Sequence, residues 1–145
     1  MFKLAGMGGN FDHLHEGHKL LLKTALEVSE RIVIGLTTEK MHKNKRYKEK
    51  IEDYSTRKQN IENFIQTFTD LERIQIIELK NSFGPPIEDK NYEALIISQE
   101  TIPNALKINE IREQNGMKPL ILVVIPVLRD ENGNKISSTE IRKNL

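Results

Sequence analysis

Five short apolar runs alternate along the chain with segments whose apolar residues recur at helical spacing, and this alternation is the strongest constraint on the fold. Lys3–Met7 and Arg31–Leu36 read as the first two strands. The second carries three consecutive β-branched residues, Ile32, Val33 and Ile34, which suit a strand buried on both faces. Ile74–Leu79, Ala94–Ser98 and Leu120–Ile125 complete the set. Between them, Gly17–Ser29 presents Leu21, Leu22, Ala25, Leu26 and Val28 as one apolar stripe. A second helix is predicted from near Tyr54 to Phe68, capped by Ser55 or Thr56, and a third over Pro103–Gln114, stopped by Gly116. The order β-α-β-α-β-β-α-β-α predicts one α/β domain with a mainly parallel five-stranded sheet and helices on both faces, because parallel strands need right-handed crossovers.

A chain of 145 residues suits a single core over positions 1–145. Its formal charge of +1 is too small for a nucleic-acid coat or a membrane-surface protein, and no apolar run reaches bilayer length, so neither nucleic acid nor membrane is an expected partner. The absence of cysteine excludes disulfides and a thiolate nucleophile, and the amino-terminal residues lack a signal-peptide core; a cytoplasmic location is expected. The small net charge conceals an uneven distribution. Lys40, Lys43, Lys45, Arg46, Lys48 and Lys50 face one acid, Glu49, which makes the segment +5 and the rest of the chain −4. Such a segment suits a local anion site, and equally a solvated charged loop.

In open parallel sheets ligands bind beyond the carboxyl ends of the strands, so the loops after strands are where chemistry is expected. The first holds Gly8-Gly9-Asn10-Phe11-Asp12-His13-Leu14-His15-Glu16-Gly17-His18, with three of the four histidines. Gly6-Met7-Gly8-Gly9 is not a dinucleotide fingerprint, since the third glycine would fall at Phe11. His13, His15 and His18 lack a carboxylate set into a ligand pattern, so no resident metal site is expected; capping of a helix is another use for these rings.

Gly9-Asn10-Phe11-Asp12-x-x-His15-x-Gly17-His18 resembles the first signature of the nucleotidylyltransferase superfamily, and Lys135-Ile136-Ser137-Ser138-Thr139-Glu140-Ile141-Arg142 resembles its second. The segment between them, through Gly84-Pro85, Ile96–Thr101, Asn109 and Arg112, is similar to the archaeal and eukaryotic phosphopantetheine adenylyltransferases. The resemblance implies a Rossmann-like domain that transfers the adenylyl group of ATP to 4′-phosphopantetheine, yielding dephospho-coenzyme A and pyrophosphate, with Mg2+ carried by the ATP.

It also implies roles. His18, His15, Asn10 and Lys43 are the expected catalytic residues; His18 would donate to the α-phosphate as charge builds there. Gly9, Asn10, Phe11, Gly17, His18, Ser98, Glu100, Asn109, Ser137, Ser138, Thr139 and Arg142 are the expected ATP contacts, with Gly17 allowing close approach and Gly8 and Gly9 a tight turn. Lys43, Lys45, Arg57 and Arg112 are expected on the acceptor or on the substrate phosphates; Arg57 also reads as an exposed helix charge, and Arg142 as the partner of a surface acid. Asn10 stands where the family usually has threonine, and Ser98 where bacterial members carry arginine. The same end motifs would serve transfer to FMN, cytidylyl transfer to glycerol phosphate, or an inactive polyanion-binding module. Oligomeric state is open.

Overall fold

The computed structural model describes residues 1–145, and its elements follow in the expected order: β1 (Phe2–Gly9), α1 (Glu16–Val28), β2 (Ser29–Thr37), α2 (Tyr54–Gln66), β3 (Ile74–Leu79), β4 (Ala94–Ser98), α3 (Ile102–Gln114), β5 (Ile121–Ile125) and α4 (Ser138–Lys143). All five strands lie in one sheet in the order β3-β2-β1-β4-β5, and every pairing is parallel. Short 3-10 turns at Glu39–His42, Lys48–Lys50, Leu71–Arg73, Pro85–Ile87 and Gln99–Thr101 fill the connections.

Side chains alternate across the sheet and sort into two apolar layers. Ala5, Met7, Ile32, Ile34, Leu36, Ala94 and Ile96 pack with Leu22, Ala25 and Leu26 of α1 and Ile61 and Ile65 of α2. Their strand neighbours Leu4, Val33, Leu95 and Ile97 face the other way, toward Ala105 and Ile108 of α3. Helices therefore cover both faces, as the alternation of apolar runs requires.

Several boundaries differ from the sequence reading, each for a local reason. Helix α1 begins at Glu16 because the His15 side chain caps it, and ends at Val28 because Ser29 is already extended and opens β2. Asp53, rather than Ser55 or Thr56, caps α2: its carboxylate accepts from the Thr56 amide at 2.8 Å. The helix closes at Gln66, short of Phe68. Gly8 and Gly9 belong to β1 and form no turn. At Gly8 a side chain would meet Leu79 Cδ2 at 3.3 Å, so that glycine serves close packing within the sheet.

The sheet opens at one place. Strand β1 pairs with β2 as far as Gly9↔Leu36, yet with β4 only at Ala5↔Ala94 and Gly6↔Leu95. Beyond Gly6 the two central strands diverge at the point where the strand order reverses, the position at which open α/β sheets form a ligand crevice.

Candidate active site

The loop after β1 turns sharply into α1. Phe11 and His13 both adopt left-handed backbone conformations, with φ of 48° and 47°, a region that side chains other than glycine rarely occupy. Phe11 is buried and anchors the loop in the core beneath His18, with ring centroids 5.3 Å apart. The rings of His15 and His18 stack at 3.7 Å.

The two histidines also cap the helix reciprocally. His15 Nδ1 accepts from the amides of Gly17 at 3.1 Å and His18 at 3.4 Å, while His18 Nδ1 accepts from the amide of His15 at 3.3 Å. An accepting Nδ1 carries no proton, so each neutral ring holds its proton on Nε2. Burial, reinforced by His15, lowers the pKa of His18 to about 3; burial also lowers that of His15, against an opposing effect of Glu16. The site thus presents two uncharged imidazole N–H donors at a helix start. A Cβ at Gly17 would lie 2.9 Å from His15 Cε1, so this glycine makes room for the capping ring, a role distinct from the expected approach to a nucleotide.

Asp12, named in the motif but given no role by the sequence reading, lies fully buried next to them. Its Oδ2 accepts from Arg142 Nη1 at 2.7 Å and its Oδ1 from the Glu52 amide at 2.9 Å; its carbonyl accepts from Ser138 Oγ at 2.6 Å. The start of α4 is thereby fastened to the loop after β1. Ser137 caps α4 by accepting from the Glu140 amide at 3.2 Å, and Thr139 Oγ1 accepts from Arg142 Nη2 at 3.3 Å. Asn10 Oδ1 accepts from the Asp12 amide at 3.2 Å, which leaves the Asn10 NH2 group to donate elsewhere.

The basic segment follows β2 on the same edge of the sheet. Lys43 and Lys45 are both exposed; the Lys45 amine is held below its usual range by partial desolvation and then by Arg142, with Asp12 opposing. His42, the fourth histidine, is buried against Thr37, with Nε2 2.7 Å from Oγ1. Desolvation, followed by the charges of Arg57 and Lys45, pushes its pKa down to about 4.

Three arginines expected at phosphates are engaged within the fold. Arg57, 0% exposed, donates to the carbonyls of Glu52 at 2.9 Å and Asn10 at 3.0 Å, and is not a surface helix charge. Arg142 pairs with a buried acid, where the sequence suggested a surface one. Arg112, 1% exposed, donates to the carbonyls of Lys118, Pro86, Asp89 and Tyr92; its fork crosslinks α3 to the segment before β4 and is spent on main-chain carbonyls rather than on a substrate phosphate. Asn109 likewise grips the main chain of Leu120 through both atoms of its amide, at 3.0 and 2.7 Å. Ser98 ends β4 and its carbonyl accepts from Thr101 Oγ1 at 3.0 Å, while Glu100 pairs with Lys135 of the segment before α4.

Where β1 and β4 diverge lies a cleft of about 140 Å³, running from Gly9 over Gly6, Gly8 and Gly35 to Tyr92, Thr101 and Asn104. Five of its lining residues are glycines, Gly6, Gly8, Gly9, Gly35 and Gly84. Leu79 packs against two of them: side chains at Gly35 or Gly84 would approach its Cδ1 to 2.9 and 3.0 Å. The cleft is largely apolar, and at Gly9 it reaches the start of the loop that carries the histidine pair, beside Phe11.

Asp12, His13 and Glu52 bring ligand atoms within 4.8 Å of one another. Both Asp12 oxygens and one Glu52 oxygen already accept hydrogen bonds from Arg142, the Glu52 amide and the His13 amide. The cluster is an internal network rather than an open cage for a cation.

Residues 7–144 match the family model described as cytidylyltransferase-like. A phosphopantetheine adenylyltransferase of Pyrococcus abyssi is 42% identical over 144 residues, covering 99% of this chain and 91% of that protein. The protein of that name from Saccharomyces cerevisiae is 38% identical over 147 residues, covering 98% of this chain and 48% of the yeast protein. Among solved structures, a protein of unknown function from Archaeoglobus fulgidus superposes with a TM-score of 0.74 at 29% identity, over 84% of this chain and 97% of that one. A bifunctional NMN adenylyltransferase/ADP ribose pyrophosphatase from Francisella tularensis shares the fold, with a TM-score of 0.68 at 18% identity, over 99% of this chain and 42% of that one.

Proposed function

Because the chain belongs to the cytidylyltransferase-like family, we propose that its site transfers the adenylyl group of ATP to 4′-phosphopantetheine, releasing pyrophosphate and forming dephospho-coenzyme A. The chain is a nucleotidyltransferase of coenzyme A biosynthesis, in keeping with relatives of that name across archaea and yeast. In the reaction a phosphate oxygen of the acceptor attacks the α-phosphorus of ATP. One P–O bond forms as the bond to the β-phosphate bridging oxygen breaks, and the pair of electrons leaves with pyrophosphate. The acceptor is already an anion, so catalysis is positioning and charge stabilisation, and no enzyme nucleophile is needed.

The observation that carries this reading is the stacked, mutually capped His15–His18 pair. Two neutral Nε2–H donors, fixed at a helix N-terminus by bonds to their own main chain, suit an α-phosphate whose charge grows in the transition state; they hydrogen-bond without surrendering a proton. The Asn10 NH2 group adds a third donor on the same loop. The exposed Lys43 and Lys45 supply positive charge to the triphosphate, and the start of α4 offers the Ser137–Thr139 segment. Mg2+ enters as part of the substrate, bound mainly by phosphates and water. The apolar cleft suits the extended, amide-linked arm of phosphopantetheine, with its phosphate end toward Gly9.

Pyrophosphate release in MgATP tests the reading. Release that depends on added 4′-phosphopantetheine supports it; ATP binding without release in the presence of that acceptor contradicts it.

A further inference from the structure

Asp12 stands beside a site that must receive a polyanion, where a free carboxylate would repel substrate. Its charge is instead enclosed: the side chain is fully buried, and Arg142 and the Glu52 amide take its two oxygens. Those contacts reach the basic segment from two sides. Arg142, held by Asp12, also donates through Nε to the Arg46 carbonyl at 3.3 Å. His13, whose amide donates to Glu52 at 2.7 Å, lies with Nε2 2.9 Å from the Lys50 carbonyl. The main chain is therefore gripped at positions 46, 50 and 52, while Lys43, Lys45 and Lys48 remain exposed.

We propose that Asp12 is a positioning residue: its buried carboxylate, acting through Arg142 and the Glu52 amide, holds the basic segment in place against α4 and the loop that leads into the His15–His18 pair. This rests on the reading of the site as a nucleotidyl-transfer centre. A segment whose main chain is already ordered loses less freedom when its lysines meet a triphosphate, so the contribution appears in ATP binding. Removing either member of a buried ion pair leaves the other charge uncompensated, so both sides of the link must matter. Arg142 in this account organises the loop and is not a free phosphate ligand.

The test uses Asp12→Asn, which keeps the shape and removes the charge, Arg142→Gln from the other side, and the double variant. Trypsin reports the segment directly, since it cleaves after Lys43, Lys45, Arg46, Lys48 and Lys50. In the absence of substrate, each single variant is expected to be cut within 40–50 at least about tenfold faster than the wild type. The KM for ATP rises about tenfold, the KM for 4′-phosphopantetheine shifts less than about threefold, and the double variant is no worse than the singles, as for two residues acting as one unit. Wild-type cleavage rates with an unchanged KM for ATP would reduce Asp12 to a purely structural acid and overturn the proposal, as would additive losses in the double variant. Should Asp12→Asn fail to fold, Arg142→Gln decides on the same readouts. Absence of turnover by the wild type would refute the functional reading alone, because the proteolysis comparison needs no reaction.

Discussion

At the scale of single residues, the site's chemistry follows from where two imidazole protons sit. Each Nδ1 accepts a main-chain amide, so each Nε2 keeps its hydrogen, and burial keeps both rings uncharged. The His15-x-Gly17-His18 spacing makes the pair legible in the sequence alone. Gly17 is legible as a requirement too, though for a different reason: the space it vacates is filled by His15. Asp12 is not legible as a key residue, because an acid within a polar loop motif reads as solvated until its burial is known. Replacing His18 by alanine is expected to lower kcat by a factor on the order of 10² or more, as for a donor whose bond strengthens in the transition state. The variant's circular dichroism should match the wild type; an unchanged kcat would remove His18 from the mechanism.

At the scale of elements, the sheet and three long helices can be read from periodicity, whereas the duties of the arginines cannot. Arg57, Arg112 and Arg142 have the residue type of phosphate ligands, and each instead ties one element to another through carbonyl groups or a buried carboxylate. The deciding factor is how far the side chain must reach to find carbonyl groups left unpaired at a loop, which depends on tertiary proximity and leaves no local trace. Arg112 gives the clearest prediction. Its removal strands carbonyls of Lys118, Pro86, Asp89 and Tyr92, and Arg112→Met should destabilise the fold by about 2–5 kcal/mol, since each buried acceptor left unpaired costs about 1–3 kcal/mol and relaxation recovers part of the sum. Urea unfolding measures this; a midpoint within error of the wild type would mean that water replaces the guanidinium without loss.

At the scale of the whole molecule, the near-neutral total charge resolves into a mildly acidic domain with one cationic segment at the carboxyl end of the sheet, where β1 and β4 part. The parallel order is legible because strand and helix runs alternate; the crevice is not, since it depends on how few residues of β1 and β4 pair. The buried histidines also set the acid response. His18 and His42 have folded-state pKa values of about 3 and 4, below the usual 6.5 of the unfolded chain, and that of His15 is lowered too. Between those values and 6.5 the unfolded chain binds more protons than the folded one, so stability is fully present above about pH 6.5 and declines as pH falls toward 4. The carboxylate of Asp53, lowered by its bond to the Thr56 amide, adds a loss of the same sign at lower pH. Melting temperature should therefore drop between about pH 7 and about pH 4.5; a constant or rising value would contradict the buried, neutral state of these rings.

The central claim joins this site to one acceptor, and the comparison of acceptors tests it most directly. Steady-state kcat/KM is to be measured by pyrophosphate release for ATP with 4′-phosphopantetheine, for ATP with FMN, and for CTP with glycerol phosphate. The account predicts that the first pair exceeds both others by at least about 10³-fold, with dephospho-coenzyme A as the product. Comparable or higher values for FMN or for CTP with glycerol phosphate would contradict it.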